Sequence, residues 1–220
     1  MKTLFIEAEK KHFEKINPSI LLNLPEKIGL LYTVQYKPLF EKVREILENQ
    51  GKKVFIGKGA LNEGQIIGCN VQSALSIQDN VDCFVLISSG KFHAFSLALQ
   101  IEKPIYIIRG GKIEQLEREE TELIRKKRKA AVSKFLLSEK IGIIVSTKSG
   151  QCSMQKALEL KENLSKEKKV FLFISDTINP KELENFKIDF WINTACPGIA
   201  FDVPNMINLS DYQKIHRNEF

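Results

Sequence analysis

The chain lacks long apolar segments, and this absence excludes a helical membrane protein. None of its 220 residues lies in a run that approaches the about 18 consecutive apolar residues of a membrane-spanning helix. The charged residues Lys2 and Glu7 occur near the start, so the first segment is not predicted to be a secretion signal. We therefore expect a cytoplasmic protein in a reducing setting, with no membrane partner.

Cysteine is also scarce, and the chain has only Cys69, Cys83, Cys152 and Cys196. No two of them have the C-x-x-C spacing of zinc sites. In a reducing compartment, such widely spaced cysteines are expected to be free thiols or metal ligands rather than disulfides. The glycine patterns of phosphate-binding loops and of dinucleotide-binding folds are absent too. No Ser-His-Asp or paired-carboxylate arrangement is indicated, which argues against several common enzyme classes.

Positive charge is present in excess, with a net charge of +6. Much of it lies in the basic run Arg125-Lys126-Lys127-Arg128-Lys129. Such a run is commonly a solvated helix face, and the alternative is a patch that steers an acidic or RNA-bound partner. Because no aromatic residues alternate with the basic ones, no direct nucleic-acid site is expected.

Short apolar segments alternate with amphipathic ones along the chain, which is the pattern of parallel βαβ units. The predicted strands are Lys27–Val34, Lys53–Gly57, Cys83–Ser88, Pro104–Arg109, Ile141–Thr147, Lys169–Ser175, Phe190–Thr194 and Met206–Leu209. Helices are predicted at Pro38–Gln50 and Ser153–Glu167. The pattern predicts an α/β fold with two tandem related units, each a four-stranded, mainly parallel sheet flanked by helices.

The two halves of the chain also match in sequence. The matched segments are Ile28–Leu31 with Ile141–Ile144, Lys52–Phe55 with Lys168–Phe171, and Val81–Phe84 with Ile188–Trp191. Their offsets of 113, 116 and 107 residues are nearly constant, which indicates duplication of one unit. We assign residues 27–112 and 140–220 to the two units, and residues 113–139 to one or two connecting helices.

Residues 1–26 precede the first unit and include an apolar segment, Leu4–Ala8, that is typical of the last strand of such a unit. A linker of about twenty residues separates it from the next predicted strand. The segment is expected to be either the end of a missing unit or an edge strand of the first unit.

Cys69 closes the segment Gly64-Gln65-Ile66-Ile67-Gly68-Cys69, which lies between a predicted strand and a helix predicted to start near Val71. Its two glycines permit positive φ or close backbone approach. A thiolate at a helix N-terminus is favoured by the helix dipole. The alternative is a small buried hydrophobic side chain.

Cys196 follows the predicted strand Phe190–Thr194 and is itself followed by Pro197, which ends the strand because it has no N–H to donate. The cysteine is therefore placed at the carboxyl edge of the sheet, where open α/β sheets bind ligands. Thiolates at this edge are candidate ligands for a soft metal or an iron–sulfur cluster. Cys83 begins a strand and is predicted to lie in the core.

The segment Ser146–Cys152 follows another strand and opens a predicted helix. Its hydroxyls and its glycine, at a helix N-terminus, predict a pocket for an anion or a carboxylate. The candidate binding residues are Ser146, Thr147, Lys148, Gly150 and Gln151, and Cys152 adds a third thiol.

A further strand leads into Ser88–Ala94, which contains Gly90 and His93. His93 is a candidate acid/base group or hydrogen-bond donor to a ligand. A purely structural histidine is the alternative.

As a set, these segments resemble the archaeal and eukaryotic enzymes of the first step of diphthamide biosynthesis. The matching stretches are Phe5–Ala8, Tyr32–Tyr36, Gly57–Gly59, Gly64–Cys69, Gly90–His93, Ser146–Gln151 and Asn193–Pro197. They occur in order and span nearly the whole chain.

The resemblance implies three related α/β domains, each of which gives one cysteine to a [4Fe–4S] cluster. The cluster binds S-adenosylmethionine and, with an electron donor, cleaves it reductively, and a 3-amino-3-carboxypropyl group adds to a histidine of translation elongation factor 2. Cys69 and Cys196 match the family's second and third cluster cysteines. We expect Gln65, Gly90, His93 and the segment Ser146–Gln151 to contact the S-adenosylmethionine, with the last of these at its methionine carboxylate.

The chain departs from the family pattern in two ways. We expect this chain to lack the family's first domain and its cysteine, and Gly198 stands where the family usually has an arginine after Cys-Pro. The third thiolate is expected from a partner subunit that supplies the missing domain, or from Cys152. We expect a truncated or split member of this family. The alternatives are a non-catalytic subunit that binds the elongation factor without a cluster, and an unrelated α/β enzyme that uses His93 and Ser146–Gln151.

Overall fold

The computed structural model describes residues 4, 6–59, 62–201 and 203–216. The strands are β1 Lys27–Tyr32, β2 Lys53–Phe55, β3 Cys83–Ile87, β4 Ile105–Arg109, β5 Lys112–Gln115, β6 Lys140–Ser146, β7 Lys169–Ser175, β8 Phe190–Asn193 and β9 Met206–Asn208. The α-helices are α1 Lys37–Asn49, α2 Gln72–Leu75, α3 Phe92–Ala98, α4 Arg118–Leu137, α5 Met154–Leu164, α6 Pro180–Leu183 and α7 Leu209–His216. Short 3₁₀ helices occur at Pro18–Leu21, Val34–Tyr36, Gln78–Asn80 and Pro197–Phe201.

The chain divides into two compact units, Met1–Glu122 and Leu123–Phe220, and each has its own sheet. The division falls within α4. No helix in the described part of the chain combines the length and the apolar character needed to cross a membrane.

The first sheet has the strand order β2-β1-β3-β4-β5, and the second has the order β7-β6-β8-β9. All neighbouring strands are parallel except β4 and β5. The first four strands of the first sheet thus have the same order as the second sheet, in agreement with the predicted duplication. The mixed α/β fold with two mainly parallel sheets is confirmed.

The fifth strand of the first sheet was not predicted, because residues 113–139 were assigned to connecting helices. Gly110 and Gly111 have φ of 57° and 71°, which permits a tight hairpin between β4 and β5. In this hairpin Arg109 is paired with Lys112. The connecting helix is therefore shorter than predicted and begins at Arg118.

The N-terminal strand prediction is not supported by the structure. Among the residues of Leu4–Ala8 that the structure describes, none is in a strand, and the side chains of Leu4 and Ile6 are each 82% exposed. Phe5 lies outside the described residues.

Each sheet has apolar residues on both faces, as its continuous apolar strands predict. In the first unit, one cluster includes Leu31, Phe84 and Ile107, and the cluster on the other face includes Leu30 and Val85. The second unit likewise has two apolar clusters, and successive apolar residues along β6 and β8 contribute to one or the other of them. Each unit therefore buries its core with its own side chains.

Two contacts are repeated between the units. A Cβ atom on Gly29 would lie 2.5 Å from the ring of Phe84, and one on Gly142 would lie 2.3 Å from the ring of Trp191. In both sheets the glycine is on the strand next to one edge of the sheet, and the aromatic residue is its cross-strand partner. Only a residue without a side chain allows the ring to lie against the strand in this way.

Candidate functional site

The loop that contains Cys69 lies at the carboxyl end of β1. The N–H of Tyr32 donates to the carbonyl of Gly64 at 3.0 Å, and the N–H of Ile66 donates to the carbonyl of Tyr32 at 2.9 Å. Gly64 has a φ of +74°, and a Cβ there would lie 3.1 Å from Phe40. Both the positive φ and the close packing against Phe40 thus favour glycine at position 64.

Cys69 is presented by a tight turn within this loop. Ile67 and Asn70 exchange two backbone hydrogen bonds of 3.1 Å across Gly68 and Cys69, and the Asn70 side-chain oxygen accepts from the N–H of Gln72 at 2.9 Å. The cysteine is exposed, which contradicts the alternative of a buried hydrophobic side chain. Because α2 has only four residues, its dipole contributes less to a thiolate than a full helix would.

The Cys69 turn packs against the start of α3. A Cβ on Gly68 would lie 2.4 Å from the ring of Phe92, so the backbone of the turn rests on this ring. The Ser88 hydroxyl donates to the carbonyl of Gly90 at 2.7 Å and orders the connection from β3 to α3. The structure therefore brings together two predicted site segments, Gly64–Cys69 and Gly90–His93.

His93 is the second residue of α3 and is partly buried. Its ring makes an edge contact with Phe92, with the ring centroids 5.2 Å apart. Burial lowers the pKa of His93 below its ordinary value. The ring is therefore neutral at neutral pH, when it can donate one hydrogen bond and accept another.

Gln65 is 6% exposed, and its side-chain oxygen accepts a hydrogen bond of 2.6 Å from Asn62. Asn62 also donates to a carboxylate oxygen of Glu7 at 2.8 Å. The Gln65 amide is therefore held by the protein itself, and its contact with a cofactor stays a prediction.

The turn Ser146–Gln151 follows β6 in the second unit. The buried Ser146 hydroxyl accepts from the N–H of Lys148 at 3.2 Å, and the Thr147 hydroxyl donates to the carboxylate of Asp176 at 3.2 Å. Gly150 has a φ of +78°, and the N–H of Gln151 donates to the carbonyl of Lys148 at 3.0 Å.

The helix after this turn, α5, begins at Met154 rather than at Ser153 as predicted, so the turn ends short of the helix N-terminus. Cys152 lies between the two and is exposed. Its role as a metal ligand, and the carboxylate-binding role of the turn, stay predictions.

Cys196 lies just beyond β8, in a turn that the side chain of Asn193 organises. The Asn193 amide nitrogen donates to the carbonyl of Cys196 at 2.8 Å, and its oxygen accepts from the N–H of Ala195 at 3.0 Å. The carbonyl of Cys196 also accepts from the N–H of Ile199 at 3.1 Å, within the 3₁₀ helix that Pro197 starts. The cysteine is partly exposed at the carboxyl edge of the second sheet.

Two residues that the sequence reasoning missed support this turn from β9 and α7. The Asn208 side chain accepts from Asn193 at 2.8 Å and donates to the carbonyl of Pro197 at 3.2 Å. Asp211, which is 3% exposed, accepts from the N–H of Asn208 at 3.1 Å and forms an ion pair with Arg128. Asn193 and Asn208 end neighbouring parallel strands, so the register of those strands was the signal that could have identified this pair.

Cys83 differs from the other cysteines, as predicted. It is fully buried in β3, and burial, with a smaller effect of the Asp82 carboxylate, raises the pKa of its thiol to about 12. Such a thiol stays protonated and is a core residue.

Within the described residues, no group of three or more His, Cys, Asp or Glu side chains is placed to hold a metal ion. Cys69 lies in the first unit, and Cys152 and Cys196 lie in the second.

A family model described as "Putative diphthamide synthesis protein" matches residues 1–215. The chain belongs to this family.

Relatives within the diphthamide synthesis family include the 2-(3-amino-3-carboxypropyl)histidine synthase of Pyrococcus horikoshii, which is 28% identical over 90% of this chain and 56% of that protein. The enzyme of the same name from Methanocaldococcus jannaschii is 28% identical over 92% of this chain and 57% of that protein. Subunit 1 of the synthase from Schizosaccharomyces pombe is also 28% identical, over 92% and 49% respectively. The chain spans about half the length of these relatives.

Solved structures of Dph2 show the same fold. Dph2 from Pyrococcus horikoshii superimposes with a TM-score of 0.78 and 27% identity, over 90% of this chain and 59% of that one. A structure of Dph2 from the same organism with a 4Fe-4S cluster gives a TM-score of 0.81 and 26% identity, over 94% and 65% respectively.

Proposed function

We propose that this chain takes part in diphthamide biosynthesis in the cytoplasm, as a transferase subunit that moves a 3-amino-3-carboxypropyl group from S-adenosylmethionine to a histidine of translation elongation factor 2. The main support is the placement of Cys69 and Cys196, each in a tight turn at the carboxyl end of its own sheet. The names of the relatives and the cluster-containing Dph2 structure agree with this activity.

The donor chemistry of the two turns fits a [4Fe–4S] cluster. Thiolates are the ordinary protein ligands of such clusters, and both Cys69 and Cys196 are accessible, whereas Cys83 is buried. Three cysteine ligands would leave one iron open for S-adenosylmethionine. The third thiolate comes from a partner subunit or from Cys152. When it is bound, the cluster supplies the electron for reductive cleavage.

The chain's own residues would hold the ligands in place. Asn193 fixes the backbone on both sides of Cys196, and the Phe92 ring supports the Cys69 turn. Lys148 is exposed in the turn after β6, where its ammonium group suits the methionine carboxylate.

Anaerobic reconstitution with iron and sulfide tests the cluster. We expect bound iron, sulfide and a visible absorbance band that are lost in Cys69→Ser and in Cys196→Ser. Cys152→Ser distinguishes the two sources of the third thiolate, because only a self-contained site loses iron with it. Cys83→Ala is the matched control and should bind as much iron as the unmodified chain.

Transfer itself is tested with elongation factor 2, a chemical reductant and S-adenosylmethionine labelled in its aminocarboxypropyl group. We expect label on the elongation factor when the partner subunit is present. A chain that stays free of iron with and without the partner, yet still binds the elongation factor, would instead support the non-catalytic subunit. The subunit naming of the eukaryotic relatives favours this second candidate over an unrelated enzyme.

A further inference from the structure

The second unit contains a cavity of about 480 Å³ whose lining includes none of the proposed ligands of the cluster or of S-adenosylmethionine. One wall is a stripe of α4, and the opposite wall is the segment from the 3₁₀ helix through β9 to α7. The described lining residues are Ile124, Lys127, Arg128, Ala130, Ala131, Lys134, Ala200, Phe201, Val203, Pro204, Met206, Ile207, Asn208 and Asp211. The volume lies within the roughly 300–1,000 Å³ of small-molecule sites.

The lining is apolar over most of its area. Ile124, Ala131 and Ala200 belong to a set of aliphatic and aromatic residues that faces a few charged ones. Small side chains at Ala130 and Ala131 leave the space open along the helix. A ligand that fills this space therefore needs an apolar body.

Among the described residues that line the cavity, positive charges outnumber negative ones. Arg128 forms an ion pair with Asp211, and their side chains are 28% and 4% exposed. Lys134 donates to the neutral amide oxygen of Asn205 at 3.3 Å, and the ion pairs of the described residues include neither Lys134 nor Lys127. Three cations and one carboxylate leave the described lining with an excess of two positive charges.

We propose that this cavity binds a small organic anion with an apolar body, such as an aryl or acyl compound that carries a carboxylate, phosphate or sulfonate. Lys127 and Lys134 hold the anionic group at the rim, and the apolar walls receive the body. The ion pair with Asp211 fixes Arg128 in the floor. Asn208 and Asp211 also support the Cys196 turn, but the cavity lining contains none of the proposed ligands of the cluster or of S-adenosylmethionine, and the proposal does not depend on the transfer reaction.

To test this proposal, the 220-residue chain is titrated with two fluorescent probes that share one apolar body. 1-Anilinonaphthalene-8-sulfonate carries the anionic group, and N-phenyl-1-naphthylamine lacks it. We expect saturable binding of the sulfonate at one site per chain, with an affinity at least about fivefold above that of the neutral probe, which corresponds to two solvent-exposed charge contacts.

Variants locate the site. Lys127→Ala combined with Lys134→Ala should lower the affinity for the sulfonate about fivefold and leave the neutral probe unaffected. Ala130→Phe should weaken both probes, because it fills the cavity from an exposed helix position. The matched control is Lys126→Ala combined with Lys129→Ala, which removes two exposed lysines of the same basic run that do not line the cavity.

Three results would overturn the proposal. Equal losses in the two double-lysine variants would mean that the basic run attracts anions without a site, and would overturn the proposal. Absence of saturable sulfonate binding, or binding that Ala130→Phe leaves unchanged, would also overturn it. Far-ultraviolet circular dichroism and thermal unfolding show whether each variant is folded.

Discussion

The side chains of Asn193 and Asn208 determine the path of the backbone around Cys196. Asn193 bridges Cys196 and Ala195, and Asn208 supports both Asn193 and Pro197. Both asparagines are buried, at 1% and 6% exposure, so water cannot easily replace a lost partner. A buried amide left without its partner costs about 1–3 kcal/mol.

Asn208→Ala is therefore expected to lower the free energy of unfolding by about 1–3 kcal/mol and to speed alkylation of Cys196. Peptide mass mapping during iodoacetamide labelling measures the second effect, with Cys152 in the same chain as an internal reference. The exposed Asn205→Ala is the control and should change neither quantity by much. An unchanged Cys196 labelling rate in Asn208→Ala would show that the turn does not need Asn208.

His93 makes the free energy of unfolding of the first unit depend on pH, and a mutation of this residue can isolate that dependence. Burial lowers the pKa of His93 in the folded state, whereas in the unfolded chain this residue has the ordinary histidine pKa of about 6.5. As the pH falls below that value, the unfolded chain binds a proton that the folded chain resists, and stability is lost until the lowered pKa of the folded state is reached. Above about pH 7, both states are neutral at this residue and no stability is lost.

His93→Gln should therefore reduce the fall in unfolding free energy between about pH 7 and pH 5, measured by urea denaturation against the unmodified chain. The exposed His12→Gln is the control and should leave the slope as it is. Parallel pH curves for the unmodified chain and His93→Gln would contradict the assigned burial of this ring.

At the scale of single residues, the sequence predicted where a residue lies in the fold better than it predicted which residues its side chain contacts. Pro197 placed Cys196 at the end of β8, because a strand cannot continue through a proline. The bond between Asn193 and Asn208 depends on the register of β8 against β9, which no local pattern fixes.

In each sheet, one interior strand (β1 or β6) depends on a glycine that lies under an aromatic ring. Gly29 faces Phe84, and Gly142 faces Trp191, with no room for a Cβ atom. Placing even a methyl group there forces the ring or the strand to move, and such overpacking costs about 1–3 kcal/mol.

Gly29→Ala is expected to destabilise the chain by about this amount, and Phe84→Leu in the same chain should offset part of the loss, because the smaller side chain makes room. Urea unfolding of both single variants and of the double variant measures the coupling. Gly90→Ala is the control, since a Cβ on Gly90 has no neighbour within 4 Å. Simple additivity of the two changes would show that the ring and the methyl group do not compete.

At the scale of elements, most strands were predictable from their continuous apolar runs. The edge strand β7 agrees with its prediction residue for residue, although it is partly exposed. The strand β5 was missed, because Lys112–Gln115 contains a single apolar residue, Ile113, and continues into a helical pattern. The glycine pair before it was the only local signal of a hairpin.

At the scale of the whole molecule, we propose that the two units behave as separate folding units. The clusters of the first unit end at Leu116, and those of the second begin at Ala131. A local perturbation should therefore remain within its own unit.

Hydrogen exchange measured by mass spectrometry tests this independence. Gly29→Ala should speed exchange of protected amides before residue 123 and leave those after it nearly unchanged, and Gly142→Ala should do the reverse. If either variant speeds exchange equally in both halves, the molecule unfolds as one cooperative unit.

The sequence repeat predicted the two units because three matches kept the same order and a nearly constant spacing. The unit boundaries of 27–112 and 140–220 stay predictions. A repeat describes each copy by itself, so it does not predict where a cysteine of one unit lies relative to a cysteine of the other.

The glycine–aromatic contacts also constrain how the two copies could diverge. The ring is phenylalanine in one copy and tryptophan in the other, while the facing residue is glycine in both. One flat ring can replace another in a single step, but the glycine can gain a side chain only after the ring has first become smaller. A change of ring therefore leaves the glycine contact in place, whereas a side chain at the glycine position requires that a smaller residue replace the ring first.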